Sequence, residues 1–205
     1  MKVIGIIVLV CFFVSCNSKE CDCVSDSHIV VGEGEVITKT FDVESFSGVS
    51  ALSFTDIRIS TGQEQLVQVS GQENIMDLLS VKVENGTLDL SFPNDIDIRP
   101  TEDLTAEIKI PGHLNALSFV GLAEIELKGE LQEYVAINIT GSANLNSLDL
   151  PVNGFVLNWV GEGTAKVWSI EQLILNCTGV FDVQYKGEPT ITNNSTGTVT
   201  VGPIQ

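Results

Sequence analysis

Positive charge is scarce in this chain. Ten Lys and Arg stand against 27 Asp and Glu, so with both histidines neutral the formal charge is -17. A field of that sign repels phosphate backbones and anionic headgroups, which disfavours nucleic-acid binding and electrostatic docking to membranes. Histidine is scarcer still: His28 lies beside the N-terminal segment, and His113 follows Pro111-Gly112 in an expected turn. Nucleophilic catalysis therefore lacks its usual base, and neither a Gly-x-Ser-x-Gly elbow nor a phosphate-cradling glycine loop occurs. No catalytic residue and no cofactor site is expected.

Cysteine is too sparse and too unevenly spread for a disulfide framework. Cys11 and Cys16 fall at the N-terminus, Cys21 and Cys23 flank Asp22, and Cys177 stands alone. Two thiols with no nearby pair of histidines do not complete a tetrahedral zinc site, so no metal ligand is assigned to Cys21 or Cys23. Packing has to stabilise the fold, and a hydrophobic content of 43% over 205 residues is enough for a real core.

The longest hydrophobic run is at the start, from Val3 to Val14 after Met1-Lys2, broken by Gly5. It is shorter than the roughly 20 residues that span a bilayer and has the form of a secretory signal. Phe13-Val14-Ser15-Cys16 resembles the lipobox of bacterial lipoproteins, which implies lipidation of Cys16 and removal of residues 1–15. A plain secretory signal and, less favoured, a retained membrane helix are the alternatives. Asn17 after the cysteine, rather than Asp, implies by the same resemblance the outer membrane, on its periplasmic or its cell-surface face.

What is abundant is a repeat. Gly121, Gly141, Gly161, Gly179 and Gly197 recur at intervals of roughly 18 to 20 residues, a period in the range of stacked-coil architectures. Three residues before each stand Ser118, Asn138, Asn158, Asn176 and Asn194; two before, Phe119, Ile139, Trp159, Cys177 and Ser195. Four before are Leu117, Ile137, Leu157, Leu175 and Asn193, and four after are Ile125, Leu145, Ala165, Val183 and Val201. Columns that keep their polarity at a fixed period indicate a solenoid, with equivalent residues stacked about 4.8 Å apart. A coil of this length has a perimeter of roughly 60 Å, enough for two or three short strands around a dry interior. Stacked asparagines can bond to one another along the axis, because each amide both donates and accepts. The bland alternative is a set of β-turn asparagines in accidental register. Asn193 and Ser195 place polar groups in columns that are apolar above, as the water-facing end of a solenoid requires.

The column three after each glycine, Glu124, Asn144, Thr164, Asp182 and Thr200, with Asp56 as an earlier equivalent, reads as a solvated polar row. Its acids Glu124 and Asp182 lie three rungs apart, about 14 Å, too far for the roughly 5 to 9.5 Å of a paired-carboxylate glycosidase. Asn94 to Asp103, bounded by Pro93 and containing Pro100, reads as an exposed acidic loop, with a cation site as the less favoured alternative. Trp159 belongs to an interior column, while Trp168, Tyr134 and Tyr185 are candidates to stack on sugars, Trp168 being ambiguous because of its place near a corner.

Residues 29–110 are strand-rich but less regular. "ALSFTDIRIS" at 51–60 echoes "ALSFVGLAEIEL" at 116–127, which would put Ser53 in the asparagine column and Phe54 in the aromatic one. Ile75, Leu78 and Leu79 have helical spacing, and Asn85-Gly86 between alternating runs signals a hairpin. Together, "TKTFDVESFSGVSALSFTDIRISTGQEQLVQVSGQENIMDLLSVKVENGTLDLSF" and the glycine-punctuated coils that follow resemble the auto-transporter adhesin head GIN domain family of exported Bacteroidetes proteins over residues 38 to 200. The resemblance implies a right-handed β-helical protein with an irregular N-terminal part, and adhesion as its role.

The expected organisation is a signal peptide at 1–15, a polar tether at 16–28, an irregular β-rich half at 29–110 and a regular β-solenoid half at 111–205, with 29–205 as one continuous unit. The expected fold class is all-β, a right-handed parallel β-helix with coils of about 18 to 20 residues in its C-terminal half. The expected role is a non-enzymatic, adhesin-like or structural lipoprotein of the cell envelope, attached to the membrane through its lipid and meeting a protein or glycan at the cell surface. A glycan-active envelope enzyme and a periplasmic architectural or sensing lipoprotein are the rivals.

Overall fold

The computed structural model describes residues 28–204. The signal at 1–15, the lipidation site Cys16, the Cys21-Asp22-Cys23 pair and the tether up to residue 27 lie outside the described residues.

The described chain is all-β apart from one helical turn. Its elements are β1 (His28–Val31), β2 (Val36–Thr40), β3 (Gly48–Leu52), β4 (Asp56–Gly62), β5 (Leu66–Gln72), α1 (Glu73–Met76), β6 (Ser80–Glu84) and β7 (Thr87–Ser91). They continue with β8 (Ile96–Arg99), β9 (Thr105–Pro111), β10 (Ala116–Lys128), β11 (Gln132–Lys186), β12 (Thr190–Asn193) and β13 (Thr196–Pro203).

Fifty-five residues in β11 would run roughly 180 Å if straight. Instead the extended chain returns over itself. β10 pairs in parallel with the start of β11, from Ala116↔Ala136 to Glu126↔Asn146. The end of β11 pairs in the same sense with β12 and β13, through Leu173↔Ile191 and Phe181↔Val199. Within β11, Asn158 reaches Asn138 twenty positions back and Asn176 reaches Asn158 eighteen back. Alternation is the cause: every second side chain points inward, so Leu117, Ile137, Leu157 and Leu175 are fully buried, as are Val167 and Val183. Stacking like on like keeps that interior dry.

The N-terminal half extends the same stack, but not in chain order. β3 and β4 lie under β10, through Phe119↔Ala51 and Ile125↔Ile57. β7 and β9 then lie in parallel under β3 and β4, although they follow them in sequence. Antiparallel strands border this part: β2 on β5, β5 on β9, and β6 on β7. The hairpin between β6 and β7 turns on Asn85 and Gly86, with φ of 51° and 75°, the mirror-image turn whose twist suits a two-residue loop.

Three expectations need correction. Ser118 faces Ser50 and Phe119 faces Ala51, so Ser50 rather than Ser53 shares the column of the asparagines. Ser53, at φ 63°, occupies the glycine position beside Gly121, and Phe54 is buried against Phe92, with ring centroids 6.3 Å apart. The shared "ALSF" misleads because burial of Val49, Ala51, Ile57 and Ile59 sets the register, and four identical letters do not outweigh that. Next, the acidic loop is interrupted by strand β8, which pairs in parallel with β1 from His28↔Ile96 to Val31↔Arg99. Finally, the helical spacing at 75–79 yields only the single turn of α1, which buries Ile75 and Met76.

Candidate functional site

The repeat concentrates chemistry on two sides of the glycine column. On the N-terminal side runs the amide row. Asn138 Nδ2 lies 3.4 Å from Ser118 Oγ, Asn158 Nδ2 donates to Asn138 Oδ1 at 2.8 Å, Asn176 to Asn158 at 2.7 Å and Asn194 to Asn176 at 3.0 Å. Ser118, Asn138, Asn158, Asn176 and Asn194 are thus brought together in one line, each amide giving its N–H to the oxygen one rung below. With Val120, Thr140 and Val160, Ser118, Asn138, Asn158 and Asn176 border a depression of about 260 Å³. Asn158→Leu removes a bond on both sides and is expected to cost about 1–3 kcal/mol, since Asn138 keeps an acceptor and Asn176 a donor with no partner. Urea unfolding with an unchanged midpoint would leave the row without an energetic role.

On the other side lies a larger groove of about 560 Å³. Its floor is made of small or flat inward residues, Ala123, Ala143, Gly163 and Phe181. One wall is the column directly after the glycines: Leu122, Ser142, Glu162, Val180 and Thr198. The opposite wall is the column two residues further on: Glu124, Asn144, Thr164, Asp182 and Thr200. Stacking at strand spacing makes the groove about 19 Å long over its five rungs.

The second wall is ordered by its own bonds. Asn144 Nδ2 donates to Glu124 Oε1 at 2.6 Å, and Thr164 Oγ1 donates to Asn144 Oδ1 at 2.7 Å. On the first wall, Ser142 Oγ lies 3.4 Å from Glu162 Oε1. Carboxylates held this way present fixed acceptors along the groove. None of the residues lining the groove is a lysine, arginine or histidine, and none of the ion pairs among the described residues involves Glu124, Glu162 or Asp182. Leu122 and Val180 remain 71% and 58% exposed in the same wall. The groove therefore offers hydroxyls, amides, carboxylates and apolar patches, and no cation.

The sequence read Glu124, Asn144, Thr164, Asp182 and Thr200 only as a solvated row, and it passed over Leu122, Ser142, Glu162, Val180 and Thr198. The signal was available: two large apolar residues recur at outward positions of a column that is otherwise polar.

The remaining candidates lie outside this groove. Trp159 is 1% exposed, packs its ring tilted against Phe181 at 4.9 Å between centroids and donates its Nε1–H to Gly141 O at 3.1 Å. Trp168 is half-buried beneath the Lys186 ammonium, 3.4 Å from its ring centroid. Tyr134 is exposed, Tyr185 is half-buried, and His113 is exposed just after the Gly112 bend. Asp97 pairs with Arg99 at 3.0 Å, and no three His, Cys, Asp or Glu side chains among the described residues converge as metal ligands. Cys177 is buried in the interior column with a free thiol, and burial pushes its pKa up, away from reactivity.

Known structures share the fold. A protein described as a putative adhesin from Bacteroides fragilis is 20% identical, with a TM-score of 0.54 over 85% of this chain and 100% of that one. A protein described as a putative lipid binding protein from Parabacteroides distasonis is 17% identical, with a TM-score of 0.55 over 86% of this chain and 100% of that one. No curated protein matches the chain. Over residues 45–136, from just before β3 to the start of β11 and so over less than the span 38 to 200 expected from sequence, the chain matches the model of the family described as "Putative auto-transporter adhesin, head GIN domain".

Proposed function

We propose that this chain is a lipid-anchored envelope protein with an adhesin-like, non-enzymatic binding role, and that its C-terminal half is a right-handed parallel β-helix that displays the binding face. The observation that carries the reading is the groove itself: a side-chain-lined trough along the stack, with ordered acceptors and exposed Leu122 and Val180. Leu122 and Val180 give an otherwise polar trough two apolar contact points beside its ordered acceptors. The parallel registers Ala116↔Ala136 and Phe181↔Val199 support the helical description, because each coil closes on the one before it at strand distance.

Attachment follows from the sequence alone. Acylation of Cys16 would tether the chain at the outer membrane, with residues 17–27 as a short polar leash. Cys16→Ser is expected to move the protein from the membrane fraction to the soluble fraction of lysed cells. Equal membrane retention of both forms would end the anchoring proposal.

The binding role is tested with beads that carry the purified chain. Retention on whole bacterial cells or mucus-coated surfaces above uncoated beads supports it; retention no better than that of uncoated beads on every surface sinks it.

A further inference from the structure

We infer that the groove between the columns of Leu122 and Glu124 binds a linear, uncharged glycan laid along the stack axis; this deepens the proposed binding role and rests on it.

Backbone chemistry favours that ligand class over a peptide. In stacked coils the N–H and C=O groups of each rung are spent on the rungs above and below, as in Ala123↔Ala143 and Phe181↔Val199. Among the groove's rungs only β13, the last, keeps an unpaired edge, and it runs across the groove, so a peptide laid along the stack axis finds no strand edge on which to satisfy its own backbone. Recognition falls to side chains alone. A sugar chain meets that condition, because its hydroxyls both donate and accept and need only side-chain partners.

The residue types match an alternation of polar rims and apolar faces. Glu124, Glu162 and Asp182 accept from hydroxyl donors, while Asn144, Thr164 and Thr200 do both. Leu122 and Val180 offer apolar contact to ring C–H faces, above a floor kept low by Ala123, Ala143 and Gly163. Gly163 cannot be enlarged, since a Cβ there would strike Ala143 O and the Trp159 ring. A wall that repeats rung by rung suits a ligand that repeats unit by unit.

Charge narrows the class. With three carboxylates, no cation in the lining and a chain charge of -17, sulfated, phosphorylated or uronate polymers are repelled.

The test uses the full-length chain in detergent and four immobilised probes: linear β-glucan, linear xylan, heparin and polylysine. Binding to β-glucan or xylan is expected, with none to heparin. Leu122→Asp and Glu162→Ala, both at exposed positions, are expected to weaken it about tenfold or more with an unchanged melting temperature. Val160→Asp, exposed on the other side of the glycine column, is expected to leave it intact. Neutral-glycan binding that survives both groove variants overturns the site. Binding only to heparin or polylysine overturns the ligand class. Beads that adhere to cells while the chain ignores both neutral glycans overturn this inference and leave the binding role standing; failure on cells and on every probe removes both.

Discussion

Gly161→Ala is expected to destabilise the protein by about 3 kcal/mol or more, a large effect for a single methyl group. Two costs combine. Gly161 has φ 138°, a conformation that side-chain-bearing residues adopt at a cost of about 1–3 kcal/mol. Its added Cβ would also overlap the carbonyl oxygen of Gly141 one rung below, and backbone in a stacked coil has no room to retreat. The same overlap recurs up the column, where Gly179 would strike Gly161 O and Gly197 would strike Gly179 O. The glycines thus set how closely the corners approach, and the strand spacing depends on that approach. Chemical denaturation measures the effect: a midpoint within error of the wild type would mean that the corner can open without loss, and the account of the stack would fail with it.

Trp159→Ala should cost about 3–5 kcal/mol, the range for deleting a large buried aromatic. Its ring is 1% exposed and fills the space where the aromatic column meets Phe181, at 4.9 Å between centroids. Loss of the indole also strips Gly141 O of its side-chain donor at 3.1 Å, beside the corner that Gly141 itself forms. Trp159→Phe restores most of the volume without the N–H, so it should recover most of the stability. Urea titrations of the two variants separate packing from the hydrogen bond. If alanine and phenylalanine cost the same, packing is not the dominant contribution.

How much of this was legible depends on the element. The interior columns of the C-terminal half could be read directly, because inward residues there must be apolar at a constant period, and Leu117, Ile137, Leu157 and Leu175 all obey that rule. The resemblance to the head GIN domain family was legible for a related reason, since hairpin, alternating runs and corner glycines are local patterns, and the family model matches residues 45–136. Ser53 and Phe54 were misplaced because pattern matching weighs letters, whereas register answers to summed burial over a whole strand. Strand β8 was hidden by its charges, Asp97 and Arg99, which it can carry because they face water and pair with each other at 3.0 Å.

The groove was missed for a different reason. Each wall residue is ordinary on its own rung, and Leu122 and Val180 stand far apart in the chain. Only stacking turns such residues into neighbours. The same holds for the order of the rungs: β7 and β9 lie under β3 and β4, while β10, later in the chain, lies on the opposite side.

The amino-acid sequence by itself determined that this protein is all-β, that its second half repeats at a nearly constant interval, and which columns are apolar, because alternation and period are local properties of an extended chain. Tertiary structure alone decided the register of the first coils, the order in which rungs pile up and the trough beside the corner glycines. Those depend on contacts between residues far apart along the chain, and such contacts are chosen by the total apolar surface that a given stacking removes from water.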